Sequence, residues 1–185
     1  MQLNRVTAAS AELAEVARLY DRAFPANERW DLDAVLRDDT GISELLSFSE
    51  DGGFAGFAIT LSCGGYTHLI YFAVAEDKRS RGYGSEALCL LGERYPGNVM
   101  MVDIEREHPG ADNNAQRRRR KEFYRRCGYT EAGVEYNWRG EQYEILILGG
   151  EISTRDYFRF WHSLDEHSSI FDCGGIVMKG IAING

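Results

Sequence analysis

The chain has 185 residues, 44% of them hydrophobic, and a formal net charge of −8. That is enough apolar material for a single core of ordinary domain size, and the charge should repel nucleic acid and acidic membranes. Apolar runs such as Val99–Val102 and Ile145–Gly150 fall far short of the roughly 20 residues that cross a bilayer. The polar start Met1–Ser10 lacks the charged-then-apolar pattern of a secretory signal, so a cytoplasmic protein with no membrane partner is expected. Cys63, Cys89, Cys127 and Cys173 are scattered with no CxxC pair, which predicts reduced thiols and no metal.

In chain order, Ser10–Phe24 places Leu13, Val16, Ala17, Tyr20 and Phe24 at three- and four-residue steps, predicting an amphipathic helix capped by Ser10 and ended by Pro25. Asp31–Asp39 predicts a second short helix with Leu32, Val35 and Leu36 inward. Three strand-like runs follow, Glu44–Glu50, Phe54–Ser62 and Tyr66–Val74, separated by turn signals at Asp51-Gly52 and Gly64-Gly65, and they read as an antiparallel meander. A helix over Ser85–Tyr95 and an apolar strand over Val99–Glu105 then imply a right-handed crossover and one parallel pair. Ala115–Cys127 predicts a helix closed by Gly128, Tyr129–Trp138 and Gln142–Leu148 a hairpin turning at Arg139-Gly140, and Ser153–Leu164 a closing helix. The expected fold is α/β (α+β), a mixed, mostly antiparallel central sheet flanked by helices, as one domain over residues 1–164 with a tail of unassigned structure over 165–185.

The stretch Arg79–Leu88, RSRGYGSEAL, sets two close glycines between arginines and a helix start, a combination suited to an anion because backbone N–H groups there point outward. A nucleotide-triphosphate loop is excluded, since no GxxxxGK followed by Ser or Thr occurs. A dinucleotide fingerprint is an alternative: Gly82-x-Gly84-x-x-Ala87 fits GxGxxA, with Asp103 closing the next strand. Against it, Ala75–Arg81 intervene between the strand and the first glycine, and one helix and then a hairpin follow where strands and helices should alternate.

Read with its flanks, Arg79-x-x-Gly82-x-Gly84 after a strand and before a helix resembles the coenzyme A pyrophosphate loop of the GNAT N-acetyltransferase superfamily, whose pattern is Gln/Arg-x-x-Gly-x-Gly/Ala. Glu122–Gly133, EFYRRCGYTEAG, resembles the later Phe/Leu-Tyr-x-x-x-Gly-Phe/Tyr block of that family, and Phe24–Arg29, FPANER, is similar to a segment of some members. The resemblance runs from the first helix through Leu148. It implies an acetyl-CoA-dependent N-acetyltransferase, with acetyl-CoA as co-substrate and direct attack by a primary amine of a small molecule or peptide. In that reading the backbone of Gly82, Tyr83, Gly84 and Ser85, backed by Arg79 and Arg81, holds the pyrophosphate, and Phe72, Ala73 and Val74 line the pantetheine arm. Tyr124 matches the family's general acid, being protonated at neutral pH with a reference pKa of about 10. Where members carry Asn and a small residue on the same helix, this chain has Arg117 and Arg120, which could meet coenzyme phosphates instead.

For the base, Glu105 at a strand's carboxyl end comes first and Glu28 second, with Glu107 and His68 also in range; free carboxylates near pKa 4.3 would need burial or a relaying water. His68, in mid-strand, reads as a structural histidine. Asp103, Glu105 and Glu107 near one strand end favour a cationic acceptor. The basic run Arg117–Lys121 points nearly all round a helix, so it is either a solvated face paired to acids, a ligand contact, or an RNA-binding element. A non-catalytic acyl-CoA-binding domain that keeps the loop without a working base is the alternative function. The glycine-rich tail could dock on its own domain, join a second copy as a homodimer, or stay unstructured.

Overall fold

A computed structural model describes residues 1–138 and 140–167. Its seven strands, β1 (Gln2–Arg5), β2 (Ser43–Glu50), β3 (Gly53–Cys63), β4 (Tyr66–Val74), β5 (Val99–Glu105), β6 (Thr130–Trp138) and β7 (Glu141–Leu148), form one sheet in the order β1-β2-β3-β4-β5-β7-β6. The helices are α1 (Leu13–Ala23), α2 (Leu32–Leu36), α3 (Tyr83–Arg94), α4 (Asn114–Arg126) and α5 (Thr154–His167). As expected from the strand–helix–strand order, β4 and β5 are parallel, while β1/β2, β2/β3, β5/β7 and β6/β7 are antiparallel. The mixed sheet has a single parallel pair, so it is not the doubly wound parallel sheet that a dinucleotide site requires.

The chain divides into two compact units. The first comprises Met1–Ser62 and Leu69–Pro96. In it Val16, Leu19 and Tyr20 of α1 and Val35 of α2 close over Leu45, Phe57, Ile59, Tyr71 and Ala73 of β2, β3 and β4. The alternation along each strand and the three- and four-residue spacing along α1 put these apolar side chains on facing surfaces. The rings of Tyr20 and Tyr71 meet edge-on with centroids 5.0 Å apart, and Phe24 and Phe57 complete the cluster. The C-terminal end of α3 is tied to the sheet by polar groups: Arg94 forks onto the Glu44 carboxylate, which also accepts from the Tyr95 hydroxyl at 2.6 Å, within reach of Thr60. The second unit comprises Cys63–His68 and the chain from Gly97 on. There Met100, Met101, Val102 and Ile104 of β5, Ile145–Ile147 of β7, Tyr124 of α4, and Tyr157, Phe160, Trp161 and Leu164 of α5 are all buried.

Several local readings need correction. Strand β1 had no counterpart in the sequence reading, because its four residues QLNR alternate no apolar face and acquire their conformation by pairing with Leu46–Ser49. Ser10 does not cap α1: the helix begins at Leu13 with Glu12 in the cap position and no side-chain cap bond, while Ser10 Oγ accepts from the Thr7 N–H at 2.9 Å. Asp31 does cap α2, accepting from the Asp33 N–H at 3.0 Å. Helix α5 runs to His167, three residues into the stretch expected as tail; the chain from residue 168 on, with Cys173, lies outside the described residues, among which Cys63, Cys89 and Cys127 form no disulfide.

Gly56 on β3 lets β4 approach. A Cβ at this position would lie 2.3 Å from the Ala73 carbonyl oxygen and 3.1 Å from the Val74 Cα. Backbone cannot give way as a flexible side chain can, so Gly56→Val is expected to cost about 2–4 kcal/mol in urea denaturation. A loss below about 0.5 kcal/mol would show that β3 and β4 separate freely there.

Candidate functional site

Strand β4 leads into a single 3-10 turn over Glu76–Lys78 and then the arginine–glycine loop. Arg79 is extended, Ser80 has φ +61°, and Gly82 sits at the N-cap of α3 with φ +87°, a left-handed conformation open to glycine at little cost. Two bonds brace the loop: Arg79 Nε donates to the Val74 carbonyl at 3.2 Å, and the Gly82 carbonyl accepts from Ser85 and Glu86 N–H at 3.0 and 3.1 Å. The amides of Tyr83 and Gly84 belong to the first helical turn and have no carbonyl four residues back, so they point out of the helix end, where the backbone dipoles are positive. The Lys78 ammonium lies 6.0 Å from the centroid of the Tyr83 ring, and Arg79, Arg81, Gly82 and Ser85 are exposed. Lys78, Arg79 and Arg81 thus stand next in sequence to a helix N-terminus, a combination of charge and backbone dipole that favours an anion.

The parallel ladder between β4 and β5 joins Tyr66–His68 to Val99–Met101 and ends there. Beyond it, Phe72 and Val74 are half-buried and Ala73 is buried; the Phe72 ring packs edge-on against Phe48, and the Ala75 N–H donates to the Ala55 carbonyl at 2.9 Å.

Tyr124 lies on α4, whose C-terminus closes through Gly128 at φ +89°: the Tyr129 N–H reaches back to the Tyr124 carbonyl at 3.1 Å, and the Gly128 N–H to that of Arg125. The Tyr124 ring is 5% exposed, between Phe123 and Tyr129 at centroid distances of 5.2 and 5.3 Å. Burial pushes its phenol well above the ordinary tyrosine value, only partly opposed by the nearby Arg120 guanidinium. Tyr124 is therefore firmly protonated at neutral pH.

Glu105 ends β5 in a different setting from that of a poised base. Its Oε2 accepts from Arg120 at 3.1 Å and its Oε1 lies 3.4 Å from Arg117 Nη2, so both oxygens are committed to guanidinium groups. Arg117 is 5% exposed and fully used inside the protein, donating to Asn113 Oδ1, the Arg106 carbonyl and Glu141 at 2.7, 3.1 and 2.9 Å. That occupation removes Arg117 from contact with coenzyme phosphates. Arg118 pairs with Glu107, and Lys121 with Glu131 and Glu144. The basic run is thus the acid-paired helix face among the readings above, and Glu105 and Glu107 spend their charge on it rather than on a cationic acceptor. Glu28 is exposed; its backbone carbonyl accepts from the Tyr71 hydroxyl at 2.5 Å, which ties down the loop following α1.

The group that the sequence reading undervalued is His68. It is 2% exposed, with its Nε2 2.8 Å from Asp103 Oδ1, and its Nδ1 is buried with no hydrogen-bond partner among the described residues. Asp103 Oδ2 accepts from the Tyr136 hydroxyl at 2.6 Å and the Tyr157 hydroxyl at 2.9 Å. The Trp161 ring stands edge-on to the imidazole at 5.1 Å. A signal was present in the sequence. Two largely apolar strands carry ionisable residues in mid-strand, His68 and Asp103, and the register His68↔Met101 puts Asp103, two residues further, on the face His68 shares. It also takes Asp103 out of the ribose-binding role that a dinucleotide site would need.

The sheet order, the interrupted parallel ladder and the glycine-capped helix after β4 together define the GNAT fold. Among solved structures, the chain superposes on a protein assigned to the GNAT acetyltransferase family in Bacteroides thetaiotaomicron with a TM-score of 0.73 at 21% identity, covering 89% of this chain and 96% of that one. The ribosomal-protein-S18-alanine N-acetyltransferase of Escherichia coli matches at 0.57 and 19% identity over 82% and 95% of the two chains. An aminoglycoside 6'-N-acetyltransferase complexed with coenzyme A matches at 0.61 and 13% over 80% and 96%. No family model and no curated protein sequence matches the chain. No helix among the described residues is long and apolar enough to cross a membrane.

Two measurements check this electrostatic description. Burial raises the phenols of Tyr124, Tyr129, Tyr136 and Tyr157. A raised folded value means the unfolded chain releases its protons first, so stability is complete below about pH 10 and falls as pH rises beyond it. Urea midpoints should decline through that window while the phenolate absorbance of these residues appears only with unfolding; phenolate forming near pH 10 in an intact fold would contradict the burial. Arg117→Met should cost about 1–3 kcal/mol by leaving Glu105, Asn113 Oδ1 and the Arg106 carbonyl short of donors, whereas Arg119→Ala, on the exposed face, should change stability by less than about 0.5 kcal/mol. Equal small effects would mean that the Arg117 network is dispensable.

Proposed function

We propose that the chain is an acetyl-CoA-dependent N-acetyltransferase that moves an acetyl group to a primary amine of a small molecule or peptide. The observation that carries this reading is that anion-favouring start of α3, set after β4 within a GNAT fold. The amides of Gly82, Tyr83 and Gly84, with Arg79 and Arg81, bind the pyrophosphate, while the Ser85 N–H is spent on the Gly82 carbonyl. The backbone of Phe72–Val74 receives the pantetheine arm. Neighbours named for aminoglycoside and ribosomal-protein alanine acetylation, one of them complexed with coenzyme A, support an amine acceptor and this co-substrate.

In the reaction, the uncharged amine attacks the thioester carbonyl, the C–N bond forms and the C–S bond breaks. The amine proton passes to His68 Nδ1, directly or through one water, and the departing thiolate takes the Tyr124 phenol proton. His68 suits the base better than Glu105 or Glu28 does. Glu105 has both oxygens on guanidinium groups, and the Glu28 side chain is exposed to water. Asp103 balances the charge that an imidazolium would carry, in the logic of a nucleophile-free triad.

Calorimetric titration with acetyl-CoA is expected to give micromolar binding that Gly82→Trp, Arg79→Ala abolishes, while NAD gives no heat. Tyr124→Phe should keep that affinity and lower kcat about 10²–10⁴-fold in an amine screen. Binding without turnover in any amine would favour the non-catalytic acyl-CoA-binding reading, and binding of NAD alone would overturn the coenzyme assignment.

A further inference from the structure

Asp103 and its two phenols do more than satisfy a polar cluster, and the inference here rests on His68 being the base of the proposed reaction. We infer that Asp103, clamped by Tyr136 and Tyr157, is a positioning residue that fixes His68 in the tautomer with its proton on Nε2 and its lone pair on Nδ1. A carboxylate only accepts hydrogen bonds, so the 2.8 Å contact requires Nε2–H as donor. Nδ1, buried and without a partner among the described residues, is then the basic nitrogen. Rotation of the carboxylate is blocked because Oδ2 holds two donors from different elements, Tyr136 on β6 at 2.6 Å and Tyr157 on α5 at 2.9 Å. The imidazole is held from its sides by Trp161, Phe160 and Tyr157, with centroids at 5.1, 6.1 and 6.2 Å.

The clamp makes an unusual demand on a substitution. In Asp103→Asn, as long as both phenols keep donating, the amide oxygen stays with them and the NH2 group faces His68. Nε2 must then accept, and the proton moves to Nδ1, the nitrogen from which the base would act. Removing both phenols as well, in Asp103→Asn, Tyr136→Phe, Tyr157→Phe, frees the amide to turn its oxygen to His68, and the original tautomer returns. A cluster serving stability alone predicts the opposite order, in which the triple variant is the most damaged in every respect.

The test is the ¹⁵N spectrum of the histidine side chains in the full-length protein at about pH 8, where a free imidazole is neutral, with the His68 signals identified by their loss in His68→Gln. In the wild-type protein Nε2 should be the protonated nitrogen and Nδ1 the bare one. Asp103→Asn should exchange them and the triple variant restore them. An exchange in Asp103→Asn supports the inference, and the reverse tautomer or an imidazolium in the wild type overturns it; the wild-type spectrum decides even if a variant fails to fold. In turnover, Asp103→Asn should lose about 10²–10⁴-fold in kcat with acetyl-CoA affinity unchanged, and the triple variant should regain part of it. A protein that binds no acetyl-CoA would sink the transferase reading alone, since the tautomer is read without any ligand.

Discussion

A carboxylate set among apolar strands must be met by donors, and meeting Asp103 organises much of the second unit. Its three donors come from three elements: His68 of β4, Tyr136 of β6 and Tyr157 of α5. Each can reach it only if the parallel register of β4 on β5 and the docking of α5 are both correct. An alternative register would move side chains to the other face and strand a charge, at a cost of several kcal/mol. The network therefore selects one arrangement of strands that apolar packing alone would leave less sharply defined. The same bonds leave His68 with one nitrogen committed and one free.

A second constraint is the large positive charge of α4 in a chain of net charge −8. The helix carries Arg117–Lys121 and Arg125–Arg126, yet its charge is met by Glu105, Glu107, Glu131, Glu141 and Glu144 from β5, the loop after it, β6 and β7. These pairs are unequal in energy. Arg118–Glu107 is solvated and contributes little, whereas Arg117 and the Lys121–Glu144 pair are largely removed from water, so losing one partner strands the other. This accounting explains both sequence anomalies together: the basic run and the acidic strand ends neutralise each other. An RNA-binding stripe loses its first arginine, Arg117, to the interior.

How much of this was legible follows from the range of the interactions involved. The helices, the parallel pair, the Gly82 and Gly128 caps and the turn at Gly140 depend on local spacing and on glycine at positive φ, and the sequence carries them. Strand β1 depends on pairing with residues more than forty positions away, and nothing in QLNR announces it. Ser10 had the chemistry of a cap but found a nearer partner in Thr7. The surroundings of the candidate bases were hidden for a related reason. Glu105 looked free because its arginine partners stand on a separate element, and His68 looked merely structural because its bond to Asp103 crosses two strands. Tyr124 was legible as a motif residue, whereas its degree of burial is a property of the packed helix.

That burial shapes what Tyr124 can do as an acid. With reference values of about 10 for a phenol and 8.5 for a thiol, proton transfer from tyrosine to a thiolate in water is uphill by about 2 kcal/mol. Desolvation raises the Tyr124 phenol further and makes the transfer harder from the protein's side. Arg120 opposes the rise only in part, because its guanidinium is already engaged by Glu105. Under the proposed mechanism the balance is recovered only if the departing sulfur is released into surroundings as poor in water as those of the phenol, since burial makes a thiolate more basic by the same physics. A phenol raised in this way holds its proton at every pH the protein works in. Under the proposed mechanism it gives that proton up only to a thiolate formed beside it, which couples the acid step to a filled coenzyme site.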